Sequence, residues 1–431
     1  MKKYISENIQ SYILFSVWIA LGIIADPLAY IMVPISILLL YRKQKFTEII
    51  LGFFLILILS DNRDIQFNFA INTKIFYLLT MLIILLTEKQ YKFNNIFIAF
   101  IPFFLFSFYS LYYSPDIFRA TQKTFSYILL ALVIPYFTML AYNNDKNHFF
   151  RKLVFFSLFI LLIGIIIKLI SPSFTTLAGR YRGMLGNPNG LGIFCDLTFL
   201  LFSLISHLRP TLFSRSEKIF AYILILFSVV LSGSRTALLA IIVFILVKTI
   251  HRYSAILSLI ASLTILLIYN FIINNLGTII KALGLQEYLR TDTIESGSGR
   301  LIAWQFAWAN IQKSFFVGKG FAFTEHLYIE NYATLSILGH QGNAHNSYLT
   351  IWLNTGIIGL ILFFSALFYL FFKGSKNSYL AFPILYPILI SINFESWLAA
   401  SLNPFTIILF IIITILVTKQ FWQEQEELII Q

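Results

Sequence analysis

The sequence predicts an all-α fold, a polytopic membrane bundle of 12 to 14 helical spans with one large loop carrying short helices. Of the 431 residues, 58% are hydrophobic and only 12% are charged, a composition outside that of soluble globular proteins. Apolar runs of about 15 to 22 residues, long enough to cross a hydrocarbon core, recur along the chain. Backbone groups in lipid must be hydrogen-bonded internally, which makes these runs helices. The continuously apolar residues 159–165 lack the alternation of a transmembrane β-strand.

Fourteen apolar segments are candidate spans, and no repeat or linker divides the chain into separate halves. The segments are 11–25, 28–41, 47–60, 73–87, 95–111, 124–142, 153–171, 190–206, 219–233, 235–250, 255–273, 347–372, 379–394 and 402–418. The first one follows Lys2 and Lys3 like a signal peptide, but no small-residue cleavage site follows it, so we expect it to be retained. The single cysteine, Cys195, excludes an intrachain disulfide.

The distribution of lysine and arginine predicts the orientation, because short positively charged loops stay in the cytoplasm. With both termini cytoplasmic, every inside loop is basic, through Arg42, Lys43, Lys45, Lys89, Lys92, Lys146, Arg151, Lys152, Arg209, Arg215, Lys218, Lys248, Arg252, Lys373 and Lys376. One outside connection, from Tyr112 to Lys123, goes against the trend with Arg119 and Lys123. The long loop from Asn274 to His345 is then outside. Much of the +12 net charge comes from this bias, so nucleic-acid binding is not needed to explain it.

The long loop is where polar chemistry has room to occur. It holds three of the six histidines, and histidine is the usual proton acceptor near neutral pH. His345 is the candidate catalytic residue, ahead of His326 and His340, because it lies where the loop meets the next apolar run. A structural alternative is that Asn343 or Asn346 caps the following helix, with His345 merely adjacent. The histidines have no metal-ligand spacing and there is no cysteine pair, so no metal site is expected.

Arginines on the outer side predict an anionic partner. Arg180 and Arg182 precede one apolar run, Arg235 lies in a Gly-Ser-Arg hinge between two runs, and Arg300 opens a segment of the loop. An arginine at the hydrocarbon edge costs up to a few kcal/mol unless an anion or a carbonyl meets it. Guanidinium groups match phosphate oxygens in a bidentate arrangement. The alternative is snorkelling to the interface or pairing with a local carboxylate such as Asp292 or Glu295.

Two further features of the loop have less specific interpretations. Leu301, Trp304, Trp308 and Ile311 recur at helical spacing, which predicts a helix that lies at the lipid interface or packs against the bundle. Gly318-Lys319-Gly320 then breaks this helix. It lacks the Gly-x-x-x-x-Gly-Lys-Ser/Thr pattern of a nucleotide-binding loop.

Taken in order along about residues 174–370, these motifs resemble the O-antigen ligase and polymerase superfamily; the N-terminal spans are similar in hydropathy only. The resemblance is carried by Asn187-Pro188-Asn189-Gly190, Ser234-Arg235, Arg300 with Trp304, Gly318-x-Gly320, and His345-Asn346-Ser347-Tyr348-Leu349 with Trp352, Gly356 and Gly359. It implies segments 1–173 (N-terminal spans), 174–372 (ligase-like region with loop 274–345) and 373–431 (C-terminal spans and cytoplasmic tail).

The resemblance implies a membrane glycosyltransferase of the GT-C type, without a nucleotide or metal cofactor. Such an enzyme takes a glycan from undecaprenyl diphosphate at the periplasmic face of the bacterial inner membrane. Arg235 and Arg300 match the arginines thought to hold the lipid diphosphate, and His345 matches the histidine thought to activate the acceptor. Arg180 and Arg182 match a less regular feature of the family. We therefore expect the active site where the loop meets the membrane.

Several functions remain open from the sequence. In a ligase the acceptor is lipid A core, whereas in an O-antigen or exopolysaccharide polymerase it is a second carrier-linked repeat; the order of the motifs favours the ligase. A flippase for an anionic lipid would place charges within the spans, where Lys168 and Asp196 are the main candidates. The outer arginines favour a transferase. No glycosidase-like carboxylate pair is evident, which fits transfer driven by a good leaving group.

Overall fold

The computed structural model describes residues 8–62, 64–87, 93–274, 299–340 and 342–423, and these are mainly helical. The all-α prediction is confirmed, and a helix is present at each of the fourteen predicted apolar segments. The helices are α1 (Ile9–Ile24), α2 (Asp26–Arg42), α3 (Phe46–Asp61), α4 (Phe69–Thr87), α5 (Asn95–Leu111), α6 (Ile117–Asp145), α7 (Asn147–Ile170), α8 (Pro188–Leu208), α9 (Arg215–Ser232), α10 (Arg235–His251), α11 (Ala255–Asn274), α12 (Arg300–Ile311), α13 (Phe323–Glu330), α14 (Tyr332–Ile337), α15 (Ser347–Ser375), α16 (Ala381–Phe394) and α17 (Pro404–Val417). Strands β1 (Thr176–Leu177) and β2 (Arg180–Tyr181) form a short antiparallel hairpin.

The helices make this an integral membrane protein. Within the described ranges, five helical stretches are long and apolar enough to cross a bilayer: Ile65–Thr87, Ile117–Asp145, Asn147–Ile170, Pro188–Leu208 and Ser347–Ser375. Shorter apolar helices accompany them at Ile9–Ile24, Asn95–Leu111, Ala255–Tyr269, Ala381–Phe394 and Pro404–Val417. The number of spans, the orientation and the three sequence segments stay predictions. Residues 275–298 of the predicted loop, including Asp292 and Glu295, lie outside the described residues.

The chain forms two compact units. The first comprises Met1–Ile98, Tyr127–Leu239 and Leu402–Gln431. Helices α8 and α17 pack against each other in it and are almost entirely buried. Both begin with Asn-Pro: the side chains of Asn187 and Asn403 accept backbone N–H groups of the first turn, and the proline that follows has no N–H to satisfy. The Asn187-Pro188 motif therefore starts a buried helix.

The second unit comprises Ala99–Ser126 and Ala240–Ser401 and contains a broken helix. Helix α15 is interrupted at Gly356, whose φ of 66° lies in the left-handed region. Backbone groups freed by such a break must find other partners inside a membrane protein. Residues 315–320 supply them, through hydrogen bonds from Lys319 N to Leu353 O (3.2 Å), Gly320 N to Asn354 O (2.7 Å), Ile357 N to Phe315 O (2.9 Å) and Ile358 N to Phe316 O (3.3 Å).

Glycine is needed where these two segments meet. A Cβ on Gly318 would overlap the backbone of Thr355 and Gly356, and a Cβ on Gly356 would overlap the backbone of Phe316. The Gly-x-Gly segment therefore follows the end of the loop helix, as the sequence predicts, and also fills the break in α15. This ties the loop to the helix that begins just after His345.

Candidate active site

The side chains of Arg300 and His345, both in the second unit, meet at Glu395. Arg300 Nη2 lies 2.9 Å from Glu395 Oε1, and His345 Nδ1 lies 3.3 Å from Glu395 Oε2. Glu395 is only 9% exposed, whereas the side chains of Arg300 and His345 are partly exposed. One buried carboxylate therefore holds a guanidinium and an imidazole, each of which still reaches the surface of the unit. We call this set the Glu395 cluster.

Arg300 owes its position to the start of helix α12. The preceding Gly299 adopts a left-handed conformation (φ 72°), after which Arg300 is the first helical residue. A cation at a helix N-terminus is disfavoured by the helix dipole, so the carboxylate of Glu395 offsets an unfavourable placement. The guanidinium also lies 5.7 Å from the centre of the Phe394 ring, within cation–π range.

Helix α12 packs against helix α15 of its own unit, which is one of the two placements that the sequence left open. Its buried face is made by Ala303, Ala307 and Ile311. Trp304 lies partly buried and donates from Nε1 to the carbonyl of Ala344 (3.0 Å), one residue before His345. The aromatic stripe is thus only partly the packing face, because Leu301 and Trp308 are exposed.

His345 has an uncommon backbone conformation. Its φ of 44° is left-handed, which costs on the order of 1 kcal/mol or more for a residue with a side chain. The side chain of Asn343 holds it there by accepting the N–H of His345 at 2.9 Å. Strain of this kind concentrates at functional sites, because the surroundings must hold it in place.

The helix cap beside His345 is also present. Asn346 accepts the N–H of Leu349 at 3.0 Å and so caps helix α15, while Ser347 Oγ donates to the carbonyl of Glu395 at 2.7 Å. The two readings of this motif are therefore compatible. The asparagine starts the helix, and the same turn directs the histidine toward Glu395.

Glu395 is the residue of this cluster that the sequence reasoning missed. The sequence offers one signal for it: Glu395 directly follows the apolar run of α16, where an unpaired carboxylate would be costly. Its partners come from 50 and 95 residues earlier in the chain. Pattern and spacing do not reveal contacts of that range.

The hinge arginines of the first unit have different surroundings. Arg180 is exposed and donates from Nε to the carbonyl of Ser232 (3.1 Å) and from Nη2 to Asn189 Oδ1 (3.0 Å). Arg235 is the first residue of helix α10 and is exposed. Its side chain forms no hydrogen bond or ion pair with any residue in the described ranges.

Arg182 has the surroundings of a residue that stabilises the fold. It is 7% exposed, its Nη2 lies 2.8 Å from Asp64 Oδ2, and it donates twice to the carbonyl of Phe174. Alternate residues of an extended chain would share a face, and the chain is extended at Arg180–Tyr181, but Arg180 is exposed whereas Arg182 is buried. The structure favours a fold-stabilising role for Arg182, and its predicted contact with a diphosphate stays a prediction.

The structure also describes the neighbours of Lys123, Lys168 and Asp196, the other charged residues singled out in the sequence. Lys123, the exception to the charge pattern, forms an ion pair with Glu325. Lys168 lies 5.0 Å from the centre of the Tyr181 ring, and the buried carboxylate of Asp196 has no hydrogen-bond partner among the described residues. The described ranges contain no group of three or more histidine, cysteine or acidic side chains placed to hold a metal ion.

These observations define a class: a helical integral membrane protein in which a carboxylate joins an arginine and a histidine at the start of a broken helix. Residues 220–364, about a third of the chain, match the family model described as O-Antigen ligase. This match supports the O-antigen ligase and polymerase superfamily and confirms the resemblance over those residues, which include Arg235, Arg300 and His345. No curated protein matches the sequence. Residues 220–364 are thus similar to membrane enzymes of the O-antigen ligase or polymerase type.

Proposed function

We propose that the protein transfers a glycan from undecaprenyl diphosphate to an acceptor hydroxyl at the periplasmic face of the inner membrane, as an O-antigen ligase acting on lipid A core. The observation that carries this proposal is the Glu395 cluster, in which one carboxylate orients a histidine and an arginine. A polymerase that uses a second carrier-linked repeat as acceptor would employ the same groups and is the alternative outcome of the test below.

In this proposal His345 is the general base. With Nδ1–H directed at Glu395, Nε2 carries the lone pair that accepts the proton of the acceptor hydroxyl. The hydroxyl oxygen then attacks the sugar C1, most simply with inversion. Glu395 keeps the imidazole in this tautomer and stabilises the positive charge that it gains, as the buried carboxylate does in a Ser-His-Asp triad. Gly342 leaves room beside the ring, because a Cβ there would lie 3.0 Å from Nε2.

The diphosphate is both anchor and leaving group, so arginine is suited to it. A guanidinium has five N–H donors, and Arg300 uses Nη2 on Glu395, which leaves donors for phosphate oxygens. Positive charge held in place stabilises the negative charge that develops as the bond between C1 and the phosphate oxygen breaks. The lack of a partner for Arg235 among the described residues supports its proposed role as a diphosphate ligand.

The test is reconstitution of the full chain into proteoliposomes with undecaprenyl diphosphate-linked glycan and either lipid A core or more of the same donor. The ligase proposal predicts glycan-capped core; longer carrier-linked glycan would instead identify a polymerase. Replacing His345 by alanine should lower kcat about 10²- to 10⁴-fold, the usual contribution of a general base.

The matched control is His326→Ala, which removes a loop histidine that pairs with Glu330 on the surface. It should retain wild-type activity. Full activity in His345→Ala would remove that residue from the mechanism, and the absence of any transfer by the wild type to either acceptor would overturn the proposed function.

A further inference from the structure

His340 is a buried histidine that the mechanism above does not use. It is only 2% exposed. Helix α14 ends two residues before Gly339, which has a left-handed φ of 92°, and the N–H of His340 bonds back to the carbonyl of Leu335 at 2.8 Å. This Schellman-type ending turns the chain inward and buries the ring.

The His340 ring lies between the two segments that carry the catalytic groups. Its centre is 6.0 Å from that of His345, and Gly299 is so close that an added Cβ would lie 3.2 Å from His340 Nδ1. The ring forms hydrogen bonds with the backbone of Gly299 and of Asn343. Gly299 directly precedes Arg300, and Asn343 holds the N–H of His345.

The charge state of the ring follows from its surroundings. Burial lowers the pKa of His340 below its ordinary value near 6.5, a positive charge on His345 lowers it further, and the two backbone hydrogen bonds act in the opposite direction. The groups that face the ring are Tyr328 from α13 and His345, with Arg300 and Glu395 beyond. His340 is therefore neutral at pH 7, with a proton on Nδ1 for the backbone and none on Nε2, which has no partner among the described residues.

We propose that His340 is a positioning residue whose ring ties the segment before Arg300 to the segment before His345. This inference rests on the proposed function. The neutral state of His340 also matters for the proposed base, because a second cation beside His345 would oppose the uptake of a proton by the His345 ring. His340 thus acts through Arg300 and His345 and does not itself touch the substrate.

The test compares three variants of the full chain in proteoliposomes. His340→Asn retains an N–H donor near the position of Nδ1, His340→Gln moves it toward the position of Nε2, and His340→Phe retains the ring without a donor. We expect His340→Asn to keep at least about a third of the wild-type kcat and the other two to lose about 10- to 100-fold, with donor KM changed less than about threefold. His326→Asn and His326→Phe are the matched controls.

A pH profile separates positioning from mere packing. A positive charge on His340 would oppose the uptake of a proton by His345, so kcat of the wild type should fall more steeply as the pH is lowered than kcat of His340→Asn, which has no ring to protonate. Equal slopes in the two proteins, or full activity in His340→Phe, would overturn the inference while leaving the proposed function intact.

Chemical modification of His345 tests the tie without enzymatic turnover, so it applies even if the proposed function is wrong. Diethyl pyrocarbonate modifies neutral imidazole, and peptide mass spectrometry gives its rate at His345. That rate should rise several-fold in His340→Phe and stay near the wild-type rate in His340→Asn, since only the asparagine retains the backbone tie. Equal rates in all three proteins would contradict the tie.

Discussion

The arginines of the two units look alike in sequence and differ in what they contact. In the second unit, Arg300 shares the carboxylate of Glu395 with His345, and all three belong to one cluster. In the first unit, Arg182 is buried against a carboxylate of its own, Asp64, with no histidine attached, while Arg235 is exposed and has no partner in the described ranges. An arginine beside an apolar run can thus contact a carboxylate that also holds a histidine, be buried in the fold, or be exposed without a partner among the described residues.

The partner and the burial of the guanidinium decide among these roles. A buried, paired arginine leaves a carboxylate and carbonyls unsatisfied when it is removed, so its loss acts on stability. An exposed, unpaired arginine leaves nothing unsatisfied, so its loss acts on the binding of the ligand that it would meet. Loss of Arg300 would also affect the proposed general base His345, because both side chains contact Glu395. Each of the following substitutions tests one side of this comparison.

Among these substitutions, the largest effect is expected at Glu395. Glu395→Gln keeps the shape of the side chain but removes the charge that orients His345 and offsets Arg300. We expect kcat per mole of folded protein to fall about 100-fold, equivalent to about 2.7 kcal/mol of transition-state stabilisation. Steady-state kinetics in proteoliposomes measures this. Glu330→Gln, the same change in an exposed pair with His326, is the control and should be neutral; similar kinetics for the two variants would break the link between Glu395 and catalysis.

The fold was largely predictable from the sequence, because hydropathy and the internal hydrogen bonding required in lipid determine helices locally. Helix α6, for example, covers the predicted run 124–142 and extends beyond it at both ends, and helix α7 covers the run 153–171 except for its last residue. The break at Gly356 was not predicted. Its backbone groups are satisfied by residues 315–320, about 40 residues earlier in sequence, and hydropathy carries no record of such a contact.

The candidate site was predictable in part. His345 and Arg300 were chosen because imidazole and guanidinium suit proton transfer and phosphate binding, and the structure places both on one carboxylate. Glu395 was missed because its role exists only through those long-range contacts. Arg182 was grouped with Arg180 by spacing, but burial separates them, and burial depends on the contact with Asp64 from a distant part of the chain.

The next effect in size is on stability, at Arg182. Arg182→Gln removes the ion pair with Asp64 and at least one of the two bonds to the carbonyl of Phe174, so the folded state should lose roughly 2 kcal/mol. Thermal unfolding of the purified protein in detergent measures the loss as a lowered midpoint. Arg119→Gln, which breaks an exposed pair with Asp116, should leave the midpoint nearly unchanged. An unchanged midpoint with a raised donor KM in Arg182→Gln would instead return Arg182 to the predicted diphosphate site.

The smallest effect is expected at Arg235 and distinguishes it from both Arg182 and Arg300. Arg235→Lys keeps the positive charge and loses only the two-pronged geometry that matches phosphate, so the KM for undecaprenyl diphosphate-linked glycan should rise about tenfold, or about 1.4 kcal/mol. The unfolding midpoint should not move, because no described group loses a partner. Arg215→Lys supplies the same exchange at the first residue of another helix, α9, and should leave KM unchanged. A lowered midpoint with an unchanged KM would show that Arg235 supports the fold as Arg182 does, and the contrast between the two arginines would then disappear.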